Sequence, residues 1–202
     1  MTVKSRGAIA AEQTDALIKR YSGKTSARER ALLTRMNPLD PMADWNAASV
    51  LYSYSGMRNV SGDNYYTPTE LAVSVAVHLW ARNTKSSALV SSSNKDDNDD
   101  KSDKNMNLGV SLRIAAGSSD IPPGFSRRFA TVVGSKSAGT LYASLRALTA
   151  LIESKGVRID YPKLASDLAY VFTGSDTIDP ASKTFINWNR GFWLTREDHT
   201  PA

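Results

Sequence analysis

The sequence predicts an all-α protein: two small helical bundles joined by a flexible low-complexity segment. Three observations predict it. Apolar residues recur at spacings of three, four and seven along successive stretches, the period of a half-buried helix. No stretch reads as a strand. A Ser/Asp-rich run at 86–107 interrupts the pattern and parts the chain into two periodic halves. It lacks the apolar side chains that would offset the entropy of ordering it.

Taken in order, residues 1–7 read as a disordered tail and 8–85 as the N-terminal bundle. The first helix starts at Ala8, turns Ile9, Ala16, Leu17 and Tyr21 inward, and stops at Gly23. A second, Ser26 to Met36, places Ala31, Leu32, Leu33 and Met36 on its inner side. Arg28 and Arg35 are seven apart and share a face, with Arg30 elsewhere on the same helix. Asn37-Pro38-Leu39-Asp40-Pro41 breaks it, because each proline removes an amide donor and restricts the residue before it. Asp44 caps a third helix from Trp45 to about Met57, and Gly62-Asp63-Asn64 is loop chemistry. Thr67-Pro68-Thr69-Glu70 gives the sharpest local signal, with an N-cap threonine, proline at the first helical position and a capping-box glutamate. The helix that follows, to about Arg82, is apolar on most sides and is the expected centre of the bundle.

The C-terminal bundle spans 108–202. Leu108 to Ala116 is a short helix ending at Gly117, with Leu108, Leu112 and Ala115 on one face and Arg113 beside it. Next, Phe125, Phe129, Val132 and Val133 make one apolar face. At about 100° per residue, Arg127 falls nearly opposite that face and Arg128 at its edge. After Gly134-Ser135-Lys136-Ser137 a long helix, Ala138 to Lys155, buries Leu141, Leu145, Leu148 and Ile152 and holds Arg146 off that stripe. Its small side, Gly139, Ala143, Ala147 and Ala150, admits a closely packed helix, the expected occupant, or a nucleic-acid strand. Asp160-Tyr161-Pro162 caps a helix with Leu164, Leu168, Val171 and Phe172 inward, closed by Gly174. Asp179-Pro180 caps the last helix, Ala181 to about Thr195. Phe185, Ile186, Trp188, Phe192 and Trp193 form its wide apolar face, with Lys183, Asn187 and Arg190 turned away. Aromatic rings can stack on bases, but their clustering on one face reads as core. Asn189, in the middle of that face, needs a hydrogen-bond partner.

Composition narrows the function. The chain of 202 residues carries a net charge of +5 and no cysteine. Thiolate metal sites, disulfides and cysteine nucleophiles are thereby excluded. Residues 91–107 hold five Asp against three Lys, so the rest of the chain stands at +7. The Asp-rich run lacks the central Gly and terminal Glu of a calcium loop; no metal or cofactor is expected. The N-terminus has no apolar signal region and no run is long enough to span a bilayer, so a cytoplasmic protein without membrane contact is expected. Glu70, Ser74 and His78 lie along one helix face, whereas a catalytic triad requires three converging groups. The reading is a non-enzyme whose chemistry is recognition of phosphate.

The C-terminal half also carries a resemblance. Ser111-Leu112-Arg113-Ile114-Ala115-Ala116 is followed by Phe125-Ser126-Arg127-Arg128-Phe129 with Val132-Val133, then by Leu145-Arg146-Ala147-Leu148. Asp160-Tyr161-Pro162 with Leu164-Ala165 comes next, and Trp188-Asn189-Arg190-Gly191-Phe192-Trp193 last. In this order and spacing the chain resembles the CasB family, small subunits of the type I-E CRISPR surveillance complex, Cascade. The resemblance covers about 108–195; the N-terminal half agrees in helical layout and in the basic helix from Arg28 to Arg35. It implies a fold of two small bundles, no catalytic activity, and copies packed head to tail beside other Cascade subunits. It also implies contact with crRNA and with target DNA, including the displaced strand, through basic side chains. Arg127 and Arg128 match the family's paired arginines, Arg146 falls at or next to another basic position, and Lys183 and Arg190 map onto the last helix. Arg113, Arg28, Arg30 and Arg35 complete the candidate set. The acidic 91–107 run departs from the family and is expected to hang away from phosphate. Two other readings stand beside this one: a helix-turn-helix regulator of duplex DNA, and a protein scaffold without nucleic-acid contacts. The first needs base-reading residues, and no Asn or Gln stands beside Arg127 to read adenine.

Overall fold

The structure, a computed structural model, describes residues 4–53, 66–83, 106–117, 121–173, 178–179 and 182–194. Arg58, Gly62-Asp63-Asn64, Gly174, Pro180, and the interbundle segment up to 105 lie outside the described residues. Among the described residues there are nine α-helices and no strand: α1 (Arg6–Tyr21), α2 (Ala27–Arg35), α3 (Trp45–Leu51), α4 (Pro68–Arg82), α5 (Leu108–Ala116), α6 (Pro123–Val133), α7 (Ala138–Ser154), α8 (Tyr161–Val171) and α9 (Lys183–Trp193). The protein is all-α, as the periodicity predicts. No described helix is long and apolar enough to cross a membrane.

Several helix ends differ from expectation, each for a local reason. α1 begins at Arg6, inside the stretch 1–7 expected as a tail. Ser5 is the N-cap and its hydroxyl accepts from the Ala8 amide, satisfying one of the orphan donors of the first turn. Gly7 is buried against α8, where a Cβ would come within 2.5 Å of the Tyr170 ring. α3 stops at Leu51, with Tyr52 as its C-cap. In α9 the cap is Ser182, whose hydroxyl accepts from the Phe185 amide, so the helix starts after the Asp179-Pro180 pair. The Thr67 box forms as read: Glu70 N–H donates to Thr67 Oγ1 at 3.2 Å, and Thr67 N–H to a Glu70 carboxylate oxygen at 2.7 Å. Beyond the end of α7 the Gly156 amide bonds the Glu153 carbonyl at 2.8 Å, and the left-handed backbone of Gly156 (φ 77°) turns the Val157 amide to the Ile152 carbonyl at 3.4 Å, a closure open to glycine without strain.

The described helices fall into two compact units. α1 to α4 and α8 form the first; α5, α6, α7 and α9 form the second. This corrects the expected C-terminal bundle of 108–202, because α8 leaves it. Tyr161, Leu164, Ala165, Leu168, Ala169 and Val171 are buried as α8 packs on α1 and α4. Periodicity shows that a helix has a face to bury but does not name the helix it is buried against.

In the first unit α4 is central, as expected: every residue from Ala72 to Trp80 is buried. Neighbours hold His78 and the C-terminal end of α4, whereas Ser74 Oγ and Trp80 Nε1 find no hydrogen-bond partner among the described residues. His78 Nδ1 lies 2.9 Å from the Leu33 carbonyl, and Thr34 Oγ1 donates to the Ala81 carbonyl. Asn83 donates to the Tyr161 hydroxyl at 2.6 Å. The Tyr52 phenol, half-buried and hydrogen-bonded to Glu70, is pushed above its ordinary range, first by burial and then by the Glu70 charge. Glu70, Ser74 and His78 thus serve as caps and packing along one helix.

In the second unit α5 and α9 cross in direct backbone contact. A Cβ on Gly109 would sit 1.9 Å from the Trp188 carbonyl oxygen, and one on Gly191 2.5 Å from Asn107 Oδ1. Asn107 also caps α5, accepting from the Val110 amide, and donates to the Asn187 carbonyl at 3.1 Å. Gly109→Ala is therefore expected to destabilise the protein by about 2–3 kcal/mol, since the obstacle is backbone and cannot rotate aside. Gly139, with nothing within 4 Å of its Cβ position, is the control: Gly139→Ala is expected to be neutral or to stabilise by up to about 1 kcal/mol. Urea midpoints of the two variants distinguish these outcomes.

Candidate nucleic-acid interface

The second unit carries most of the predicted cations, and each is placed by the apolar face of its own helix. In α6, Phe125, Phe129 and Val132 are buried. The helical phase then turns Arg127 and Arg128 outward, and both are exposed. The helix contains no acidic residue. Arg128 turns back over the first turn: its Nη1 lies 3.7 Å from a Cβ position on Gly124. In α7, Leu141, Leu145, Leu148 and Ile152 are buried and Arg146 is exposed. The small side beside it does not pack against another helix here: Gly139, Ala143, Ala147 and Ala150 are all exposed. The expected occupant of that side is therefore absent among the described residues.

α9 departs furthest from the sequence reading. Phe185, Trp188 and Phe192 are fully buried, but Ile186 is 43% and Trp193 55% exposed. The apolar face is narrower than expected because Gly191 and Asn107 hold α9 against α5 in one rotational setting. Lys183 and Arg190 are exposed on the same outward side as Ile186 and Trp193. Asn189 finds its partner locally, donating to the Phe185 carbonyl at 2.9 Å. α6 reaches α9 through Phe129 and Phe192, whose ring centroids are 4.6 Å apart. The helix bearing the arginine pair thus lies beside the helix bearing Lys183 and Arg190.

Among the described residues, the side chains of Arg127, Arg128, Arg146, Lys183 and Arg190 make no ion pair and no hydrogen bond. Other cations are committed within the first unit, where Lys4 pairs with Glu12, Lys19 with Asp15 and Lys163 with Asp167. Arg113 on α5 is half-buried and already engaged within the fold. In the first unit, Arg28 and Arg35 are exposed on α2. Arg30 differs from its neighbours: Nη1 donates to the Tyr21 carbonyl at 3.0 Å and the Gly23 carbonyl at 2.9 Å. It closes the C-terminal end of α1, where unsatisfied carbonyls concentrate partial negative charge. No group of three or more metal-ligating side chains occurs among the described residues.

The sequence signature of the CRISPR-associated protein Cse2 family matches residues 29–193. The chain belongs to the Cse2 family. The type I-E CasB subunit of Cascade is the Cse2 protein, and the fold agrees. The crystal structure of CasB from Thermobifida fusca is similar with a TM-score of 0.62 at 19% sequence identity, over 95% of this chain and 99% of that one. No curated protein matches the chain. The family signature extends well into the N-terminal half, beyond the stretch whose motifs carry the sequence resemblance.

The residues that sequence reasoning missed are Gly109, Gly191 and Asn107, which set the rotation of α9, and Trp193, which that rotation leaves outside. A signal was available: glycines inside two apolar helices mark backbone approach. The different duties of the arginines give opposite expectations for stability. Arg30→Ala should cost about 1–2 kcal/mol by removing both bonds and taking the donor from the Tyr21 carbonyl at the end of α1, while the Gly23 carbonyl still accepts from the Ser26 amide. Arg127→Ala and Arg146→Ala should each change stability by less than about 0.5 kcal/mol, as expected for unpaired surface groups. Thermal or urea melts of the three single variants check this.

Proposed function

We propose that this Cse2-family chain is a non-catalytic subunit of a crRNA-guided Cascade complex in antiviral defence. It grips the backbones of guide RNA and target DNA, the displaced strand included. Arg127, Arg128 and Arg146 carry most of the contact, with Lys183 and Arg190 continuing it on α9. The observation that supports this best is the set of five outward cations whose side chains have no ion-pair or hydrogen-bond partner among the described residues. An unpaired guanidinium keeps its full capacity for bidentate bonds to phosphate. Arg28 and Arg35 supply a second basic surface on α2. Arg30, tied to two carbonyls, and the engaged Arg113 support the scaffold more than they grip phosphate. Copies packed head to tail, beside the other subunits in the cytoplasm, would extend the track.

The mechanism follows from how such complexes divide their labour. Base pairing with the guide selects the sequence, while protein reads backbone and shape. Exchange of a DNA duplex for an RNA–DNA heteroduplex is nearly balanced in energy. A few arginine–phosphate contacts then decide whether the opened state persists. Each contact releases condensed counterions, so the contribution is independent of sequence and falls with salt.

In the assembled complex, Arg128→Ala should weaken binding of every guide-matched target alike. It should also reduce the slope of log affinity against log salt by about one unit. Filter binding across a salt series gives both quantities. If the triple substitution Arg127→Ala, Arg128→Ala and Arg146→Ala leaves affinity and slope unchanged while the complex still assembles, these residues are a solvated face and the proposal fails.

A further inference from the structure

The outward side of α9 is more than a row of charges. Lys183, Ile186, Arg190 and Trp193 follow one another at three, four and three residues, so they form one ridge about 15 Å long. Cations and apolar groups alternate along it, and α9 contains no acidic residue. Trp193 leaves 55% of its surface uncovered, a large apolar surface set directly beside an unpaired guanidinium. Its indole is also held in place. It meets Phe192 edge-on at 4.7 Å and 67°, and Phe192 is itself fully buried against Phe129. The exposed ring is thus braced by rings of the core.

We infer that this ridge is a binding site for single-stranded nucleic acid, with an unpaired base stacked on Trp193 and flanking phosphates on Arg190 and Lys183. A braced aromatic platform between cations is the arrangement that sequence-tolerant single-strand binding requires, since every base has a π-face and every nucleotide a phosphate. A paired duplex keeps its base faces stacked inside and offers the indole nothing. The charge pattern argues for a nucleic acid over a protein partner: the ridge presents two cations with no counter-charge on their own helix. The inference rests on the backbone-gripping function proposed above and adds to it a selection for unpaired strands.

The test uses the full-length chain carrying Trp45→Phe. That substitution removes the other exposed indole; Trp80 and Trp188 are buried, so quenchable emission reports Trp193. The probes are a short oligo-dT and an abasic strand of the same length, at low salt. The expected result is quenching by oligo-dT. In anisotropy titrations, Trp193→Ala should weaken oligo-dT by about tenfold and leave the abasic strand unchanged, while Trp193→Phe should stay near the parent. Loss of both probes alike in Trp193→Ala, or of neither, overturns the stacking site. Absence of quenching by oligo-dT overturns it. The double variant Lys183→Ala and Arg190→Ala separates the two readings: it should weaken both probes. If it weakens neither, the phosphate grip itself fails on this helix, whereas failure of stacking alone leaves that grip standing.

Discussion

The contact between Gly109 and the Trp188 carbonyl is the constraint on which the second unit depends. Two helices can approach this closely only where no Cβ intervenes, and the approach admits one rotational setting of α9. In that setting Trp188, Phe185 and Phe192 enter the core, and Asn107 bonds the Asn187 carbonyl. The same rotation places Lys183, Ile186, Arg190 and Trp193 outside. Phe192 then meets Phe129, which fixes the phase of α6 and so turns Arg127 and Arg128 to solvent. A steric fact about two glycines thus propagates into the position of every cation on α6 and α9.

The cations of this protein divide by what they touch. Arg30 is bound to carbonyls at the end of α1, and Lys163 to Asp167. Such groups stabilise the fold and have less left for a ligand. Arg127, Arg128, Arg146, Lys183 and Arg190 make no ion pair or side-chain hydrogen bond among the described residues. Exposed cations of this kind cost little in water, since solvation replaces a partner. They become valuable when an anionic chain displaces that solvent. On the proposed function, stability and binding fall to different arginines, even where they stand two residues apart, as Arg28 and Arg30 do on α2.

Much of this was legible in the sequence, and the parts that were not share a cause. The all-α class, the Thr67 capping box, the buried leucines of α7 and the outward phase of Arg127 all follow from local periodicity and local chemistry. So does the motif order that pointed to the family. The destination of α8 did not: its apolar stripe is plain, but only tertiary packing shows that α1 and α4 cover it. The width of α9's buried face was also misjudged. Ile186 and Trp193 look like core by spacing, and their exposure is decided by Gly109 and Gly191, one of them on another helix. The role of Arg30 was hidden for the same reason, because its acceptors lie on the preceding helix and turn.

The central claim is that these uncommitted cations hold nucleic-acid backbone. It is tested most directly by a density map of the assembled complex carrying guide and opened target. The account predicts phosphate oxygens about 3 Å from the guanidinium groups of Arg127 and Arg128, with a strand passing both. A map in which those groups are paired instead with carboxylates of neighbouring subunits would contradict it.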